Sequence, residues 1–434
     1  MSGIASFVVV LLVLVVVHEL GHFTVAKLAG VRVLEFGVGF PPRVISRQWG
    51  DTTYSLNLLP LGGFVRMVGE EDPTDPASLA RRSAPIRLAV LAAGSAMNAL
   101  LPLVLFTIVF MLPQDTIVTD VAVLDVAAGS PAERAGVEAG DVITHADGRR
   151  LDNSFDLQAA VQRRLGADTT WTLQRQGRTL ELHIAEARVD PPEGQGATGI
   201  LLADGRVTVA SVARGSAAAQ AGLQSGDLFL RVGSSGVIGD GDAQAALDAW
   251  AEGSPGEPVP IVVLRDGTLT PLEAEPGAGG LDGLTVEVRP DERRSEPVWR
   301  AVPMSFRQTW DILVIFRNEI SRIIAGAASV DLVGPVGIAR ITSEVAGAGL
   351  GSLLMWTALL SINLAIVNML PIPALDGGRI MFVLIELSRG GRRLSPERER
   401  IAHMVGFAIL ISGIVAVSIG DIRRIVSGES VFGG

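Results

Sequence analysis

The stretch that most constrains this chain is HELGH at residues 18–22, inside an apolar N-terminal run. On a helix, residues four apart share a face, so His18 and His22 can present two imidazoles to one metal ion. Glu19 lies beside them, where a carboxylate can accept a proton from an attacking water. No polar side chain occurs over residues 7–17, and ionisable groups at membrane depth normally mark functional sites. The motif therefore predicts a metal site rather than a structural use of the two histidines.

A second polar stretch interrupts the apolar run that covers about residues 351–370. Zinc used for hydrolysis usually has three protein ligands and one open position, so two histidines leave one ligand to be found. Between Asn368 and Asp376, prolines remove backbone donors, and such broken backbone is tolerated in a bilayer only around a protein-lined or water-filled cavity. This favours a polar pocket with Asp376 as the third ligand. The alternative is a span that ends at Leu370, followed by a polar turn.

Four apolar runs are candidate membrane spans, at about residues 4–29, 86–112, 351–370 and 405–419. The 434 residues are 48% hydrophobic, as expected for a membrane protein with sizeable water-exposed parts. The net charge of −10, without a basic stripe, argues against a nucleic-acid partner. The chain has no cysteine, which excludes disulfides and thiol chemistry. The first run lacks a basic n-region and a cleavage site, so we interpret it as a retained span rather than a signal peptide.

The loops after the first span and between the last two spans are rich in arginine. The positive-inside rule places both loops in the cytoplasm. Four spans then put both termini, and the long region between the second and third spans, on the extracytoplasmic side.

Residues 31–66 combine β-branched and aromatic residues with glycines and prolines, which favours short strands and turns. Such a hairpin beside the metal helix could take up an extended substrate as an added strand, whereas an ordinary cytoplasmic loop is the alternative. In the second span, small residues from Gly94 to Ala96 allow close helix approach. Asn98 is predicted either to bond across that helix interface or to face the active-site cavity and bind substrate.

An internal repeat occupies the region between residues 114 and 290. GSPAERAGVEAGDVI at 129–143 recurs as GSAAAQAGLQSGDLF at 215–229, a period of about 86 residues. Each copy lies between strand-like runs and precedes a helical stretch and a strand pair. The pattern resembles the PDZ domain, which binds extended peptides at a sheet edge. Two such domains would bind peptides or act as a steric filter.

Residues 303–326 keep apolar side chains at helical spacing among charged ones, which predicts an amphipathic helix on the membrane surface. The expected fold is an α-helical polytopic membrane protein, with four transmembrane helices and a membrane-associated β-hairpin, plus two α+β PDZ-like domains. The predicted divisions are 1–113 with two spans and the hairpin, 114–204 and 205–290 as PDZ-like domains, 291–350 as amphipathic helix and linker, and 351–434 with two spans.

Taken together, these motifs resemble the site-2 protease family of intramembrane zinc metalloproteases. The resemblance rests on HELGH, the PDZ-like pair, GPVGIA at 334–339 and NxxPxPxLDGG at 368–378, and their order is most similar to the bacterial regulator-of-sigma-E protease type. It implies that His18, His22 and Asp376 bind Zn²⁺. It further implies that Glu19 is the catalytic base and that Asn368 helps to bind substrate.

The same resemblance implies a multi-pass protein of the bacterial inner membrane, with the PDZ-like domains on the extracytoplasmic side. Its substrates would be single-span membrane proteins, such as anti-sigma factors or remnant signal peptides, cut within their transmembrane segments. Two other classes stay open. A metalloprotease of a different clan would use a glutamate as third ligand, with Glu386 as the nearest option, and cut loops outside the lipid. A non-enzymatic PDZ scaffold would need no metal.

Overall fold

The computed structural model of the chain describes residues 3–69, 75–239, 241–253, 257–275, 281, 283–328, 332–392 and 395–427. Parts of the predicted divisions lie outside the described residues, among them 70–74, 276–280 and 428–434. The chain forms two compact units: a helical unit of residues 1–112, 295–310 and 330–434, and a strand-rich unit of residues 113–294 and 311–329.

The helices of the described part are α1 (Gly3–Leu28), α2 (Ala84–Met111), α3 (Pro131–Arg134), α4 (Ser154–Arg163), α5 (Ala217–Gln220), α6 (Asp242–Gly253), α7 (Val298–Ile324), α8 (Pro335–Gly347), α9 (Leu350–Met369), α10 (Asp376–Ser388) and α11 (Pro396–Ser427). The strands are β1 (Val33–Trp49), β2 (Thr52–Met67), β3 (Gln114–Thr116), β4 (Asp120–Val126), β5 (Val142–Ala146), β6 (Arg149–Arg150), β7 (Thr169–Arg175), β8 (Arg178–Ile184), β9 (Ile200–Gly205), β10 (Val207–Val212), β11 (Leu228–Val232), β12 (Ser235–Gly236), β13 (Val259–Arg265), β14 (Thr268–Ala274), β15 (Leu284–Val288) and β16 (Glu292–Arg294).

Four described helices, α1, α2, α9 and α11, are long and apolar enough to cross a membrane. They coincide with the four spans expected from the apolar runs, so this part of the prediction is confirmed. The last helix is longer than expected because it begins in the charged segment before the apolar run. Small residues on α1 and α2 permit their close packing, since a Cβ on Gly21 would collide with the backbone of Ala93.

Two helices of the helical unit were not expected from the sequence. Gly334 is the N-cap of α8 and Pro335 its first residue, where a missing N–H costs nothing. The buried carboxylate of Asp421 on α11 accepts hydrogen bonds from the backbone N–H groups of Gly334 and Gly337, at 3.3 and 2.8 Å. The arginine-rich loop after the third span is also partly helical, because α10 begins directly at Asp376.

The segment after α1 forms a small sheet instead of a simple hairpin of short strands. Both β1 and β2 bend, and their pairing produces four neighbouring segments in the order 43–49, 52–57, 33–38 and 63–67. Segment 33–38 is central, since Glu35 pairs with Thr53 on one side and with Arg66 on the other. The segment 63–67 is consequently an edge of this sheet, and it is this edge that borders the cavity described below.

In the strand-rich unit, the two halves of the internal repeat form sheets with the same strand order. The first is β8-β7-β5-β4-β9 with β6 beside β5, and the second is β14-β13-β11-β10-β15 with β12 beside β11. Each half has its own apolar core, one around Trp171 and the other around Phe229. The halves also share a smaller apolar cluster that contains Ala122, Leu228 and Leu230.

The repeated Gly-Asp pair has the same structural role in both halves. The carboxylate of Asp227 is fully buried and accepts two hydrogen bonds from Arg265, at 2.6 and 2.7 Å. It also accepts the backbone N–H of Gln224 at 2.8 Å, which closes the turn between α5 and β11. The two hydrogen bonds between Arg265 and Asp227 raise the pKa of the Arg265 guanidinium above its ordinary value. In the first half, Asp141 and Arg175 form the equivalent pair.

Asp227→Ala is expected to lower the unfolding free energy of the second half by about 3 kcal/mol, because it removes one partner of a buried ion pair. Hydrogen exchange measured by mass spectrometry on the full-length protein should show faster exchange in β10, β11 and β13. Asp141→Ala is the matched variant and should affect the first half in the same way. Equal loss of protection in both halves from either single change would contradict the assignment of a separate apolar core to each half.

The second part of α7 contacts the first half of the repeat. The side-chain amide of Asn318 donates to the backbone carbonyl of Gln162, near the end of α4, at 2.8 Å. Asp311 is buried and forms ion pairs with Arg149 and Arg163. Aromatic side chains elsewhere on α7 are exposed, which fits the amphipathic pattern predicted for this helix.

Candidate metal centre

The helix α1 places the two histidines of the HELGH motif on one face, as the spacing of four predicts. His18 and His22 are 9% and 7% exposed, so both rings are buried inside the helical unit. Their Nε2 atoms lie 3.2 Å apart, and the two rings meet edge to face. Two buried imidazole nitrogens at this distance point towards a common centre.

Asp376 reaches the same centre from the start of α10. Its Oδ2 atom lies 3.1 Å from His18 Nε2 and 3.2 Å from His22 Nε2. The chain leaves α9 at Met369 and turns through prolines before α10 begins. Gly378 permits this turn, because a Cβ there would stand 2.8 Å from the backbone carbon of Ile372. The proximity required of a third ligand is therefore present.

The three atoms fit a tetrahedral zinc ion in both geometry and chemistry. Ligands about 2.0–2.1 Å from a tetrahedral zinc are about 3.3 Å from one another, close to the observed sides of 3.1, 3.2 and 3.2 Å. In a neutral ring, His22 Nδ1 carries the proton because it lies 2.8 Å from the carbonyl oxygen of Val90, which can only accept. Its Nε2 atom therefore directs a lone pair towards the region of the Asp376 carboxylate oxygen. A cation bound by both electron-rich atoms would stabilise this arrangement. Among the described residues, His18, His22 and Asp376 form the group of side chains that could hold a metal ion.

The helix α2 supports both rings from behind. Gly94 lies directly against them, since a Cβ at this position would be 2.7 Å from His18 Nε2 and closer still to His22 Nε2. Val90 provides the carbonyl that orients His22. One turn further along, the side-chain amide of Asn98 lies 3.2 Å from His18 Nδ1. Each imidazole therefore has an outer partner on α2, and the acceptor carbonyl facing His22 is the kind of partner that metal-binding histidines have.

A cavity of about 210 Å³ opens beside the three donor atoms. Gly63 brings the sheet edge close to the motif, because a Cβ there would be 3.2 Å from the Cγ of Glu19. The Glu19 side chain is partly exposed and faces this space. The lining residues are His18, Glu19, His22, Phe64, Val65, Met67, Leu91, Ala374, Asp376 and Arg379. The Glu19 carboxylate and the sheet edge thus border the same cavity as the donor atoms of His18, His22 and Asp376, which we call the donor triangle.

The two asparagines expected to contact substrate do not line this cavity. Asn368 is partly buried on the last turn of α9. Asn98 is fully buried, and its side chain contacts His18 behind the donor triangle. Glu386, the alternative third ligand, forms an ion pair with Arg87 at 2.7 Å instead of joining the histidines.

Some features of the site were missed by reasoning from the sequence. The backbone at Ala374 has a φ of +87°, a region that non-glycine residues rarely adopt and that often accompanies functional sites. Its N–H donates to His403 Nδ1 at 3.0 Å, which fixes the turn before Asp376. No local pattern in the sequence signals this partner, because His403 lies 29 positions from Ala374.

Comparison with known proteins agrees with this geometry. A sequence model described as Peptidase family M50 matches residues 6–413. Zinc metalloprotease RasP of Geobacillus kaustophilus is 30% identical over 449 residues, covering 98% of each chain. Regulator of sigma E protease of Salmonella typhi is 27% identical over 461 residues, and protease RseP of Yersinia pestis 29% over 463, each covering 98% of this chain and 99% of the relative. With a family match that extends from the first apolar helix into the last, and with zinc metalloproteases aligned along nearly its whole length, this chain is a zinc metalloprotease of peptidase family M50.

Proposed function

We propose that this enzyme cuts single-span membrane proteins within their transmembrane segments. The observation that carries the proposal is the position of the donor triangle: two of its three residues lie on α1, an apolar helix long enough to cross a membrane. A hydrolytic site on such a helix is reached most directly by a substrate that is itself in the bilayer. We further propose that the protein is a multi-pass protein of the bacterial inner membrane.

In this proposal His18, His22 and Asp376 hold the zinc ion. A zinc ion bound there supplies a Lewis acid for the scissile carbonyl and for the attacking water. Glu19 accepts the proton of that water and passes it to the leaving amine. Its partly exposed carboxylate faces the cavity beside the triangle, which suits a group that must reach the substrate.

The substrate must unwind locally, because helix carbonyls are engaged in hydrogen bonds four residues back. Segment 63–67 is an edge of the small sheet, and Phe64, Val65 and Met67 border the cavity. We propose that the unwound segment pairs with this edge as an added strand, so that its freed backbone groups find partners in an environment without water. Asn368, near the turn before Asp376, would assist in holding the substrate.

The two halves of the repeat are proposed to be PDZ-like domains on the extracytoplasmic side, with bounds near 114–204 and 205–290. Their matching strand order supports this assignment. A cavity of about 400 Å³ lies between them, lined by residues 201–204 of β9 and by residues of the second half that include Leu230 and Ile238. An extended peptide could add to the β9 side of this cavity, or the pair could exclude substrates with large external domains. The residues 1–113 and 351–434 would then form the catalytic membrane part, linked by the amphipathic helix within 291–350.

The test uses the purified protein and a model single-span substrate reconstituted together in liposomes. Mass spectrometry of the fragments is expected to place the cut within the apolar segment. A matched substrate with a uniform leucine span should be cut more slowly than one with a central glycine pair, since glycine eases local unwinding. Cuts confined to loops outside the lipid would contradict the proposal and favour a protease that acts at the membrane surface.

A further inference from the structure

Asn98 is a fully buried polar residue whose side chain contacts one of the three metal-binding candidates. Its amide nitrogen lies 3.2 Å from His18 Nδ1. Its amide oxygen Oδ1 is buried and has no hydrogen-bond partner among the described residues. A buried carbonyl oxygen without a hydrogen-bond donor costs free energy. The site therefore contains an unpaired acceptor on the residue that contacts His18.

The position of Asn98 is fixed independently of its side chain. Ser361, a fully buried residue of α9, donates its hydroxyl to the backbone carbonyl of Asn98 at 2.7 Å. Asn98 therefore connects three helices. It belongs to α2, its backbone carbonyl accepts a hydrogen bond from α9, and its side-chain amide contacts α1. The amide can rotate about its last torsion without moving its Cα.

The protonation of His18 depends on which end of this amide faces it. A metal ion that takes the Nε2 lone pair of a neutral imidazole leaves the ring proton on Nδ1, where an acceptor is needed. For His22, the carbonyl of Val90 is that acceptor. An Asn98 nitrogen facing His18 Nδ1 instead favours the tautomer with its proton on Nε2, 3.1 Å from Asp376 Oδ2.

We propose that Asn98 is a positioning residue for zinc: its amide turns its oxygen to His18, accepts the Nδ1 proton, and so presents the Nε2 lone pair to the metal. The two amide ends have nearly the same shape, so the exchange requires no repacking. It moves the amide nitrogen to the opposite position. The inference rests on the proposed role of His18 as a zinc ligand.

The test measures zinc affinity by competition with a chelator, using the purified full chain in detergent. Asn98→Leu removes the acceptor at similar volume and is expected to weaken zinc binding by about 10- to 100-fold. Asn98→Asp keeps an acceptor at the same place and should bind zinc at least as tightly as the native protein does. Asn98→Ala repeats the test without a branched side chain, and Ser361→Ala changes the backbone contact but not the amide.

Rescue by aspartate distinguishes orientation of the imidazole from simple packing. Equal zinc affinity in the native, leucine and alanine proteins would overturn the inference while leaving the proposed function intact. Equal weakening in the leucine, alanine and aspartate variants would also overturn it, because packing would then be the cause. A native protein that binds no zinc, or whose zinc survives His22→Ala, would overturn the proposed metal site as well.

Discussion

Glu19→Gln is expected to reduce proteolysis by about 10²- to 10⁴-fold while zinc stays bound. Glutamine keeps the size of the side chain but cannot accept the proton of the attacking water. The donor triangle of His18, His22 and Asp376 is left unchanged, so the metal content should remain near one per chain. Asp376→Ala should lose both zinc and cleavage, since it removes one corner of that triangle.

Zinc content by elemental analysis and fragment formation from a single-span substrate measure these two outcomes separately. Glu386→Gln is the informative companion variant, because Glu386 was the ligand required by a protease of another clan. Its contact with Arg87 predicts some loss of stability but retention of zinc. Zinc loss in Glu386→Gln with retention in Asp376→Ala would reverse the assignment of the third ligand. Full activity in Glu19→Gln would remove Glu19 from the mechanism.

Features encoded within one turn of helix or one apolar run could be predicted from the sequence. The spacing of His18 and His22 puts them on one face of α1, and four apolar runs become four helices long enough to cross a membrane. The family and the zinc chemistry were also recognisable, because two specific motifs occur in a fixed order, and the comparisons confirm both. Asp376 could be singled out because a carboxylate after prolines is unusual near an apolar span.

Features that depend on distant partners could not be predicted in this way. The start of α8 is stabilised by Asp421, a residue 84 positions from Gly337, whereas the local GPVG pattern indicates only a break. Segment 33–38 becomes the centre of a four-segment sheet because β2 pairs along both of its sides, and no alternation within one strand encodes that. The sequence predicts that Asn98 either bonds across the helix interface or faces the cavity, whereas its side-chain amide contacts His18 Nδ1 behind the three donor atoms.

Gly94→Ala is expected to abolish high-affinity zinc binding, although it adds only one methyl group. The new Cβ would lie 2.7 Å from both Cε1 and Nε2 of His18, and still closer to His22 Nε2, well inside ordinary contact distances. Either the two rings must rotate away or α2 must separate from α1, and Gly21 makes the same helix pair tight one turn away. Rotation of the rings changes a triangle whose sides of 3.1–3.2 Å match a tetrahedral zinc site, and separation of α2 removes the Val90 carbonyl that orients His22.

Gly413→Ala is the matched control for this substitution, since it places the same methyl group in another long apolar helix, where no atom of the described residues lies within 4 Å beyond the local helix backbone. Alanine is also the better helix former, so the control should retain zinc and be at least as stable. Chelator competition on both purified variants should show near-native affinity in Gly413→Ala and a loss of at least about 100-fold in Gly94→Ala, more than an outer-partner change produces. Near-native zinc affinity in Gly94→Ala would mean that the rings do not rest on α2 when the metal is bound, and the close approach of α1 and α2 could then no longer explain how the site is held.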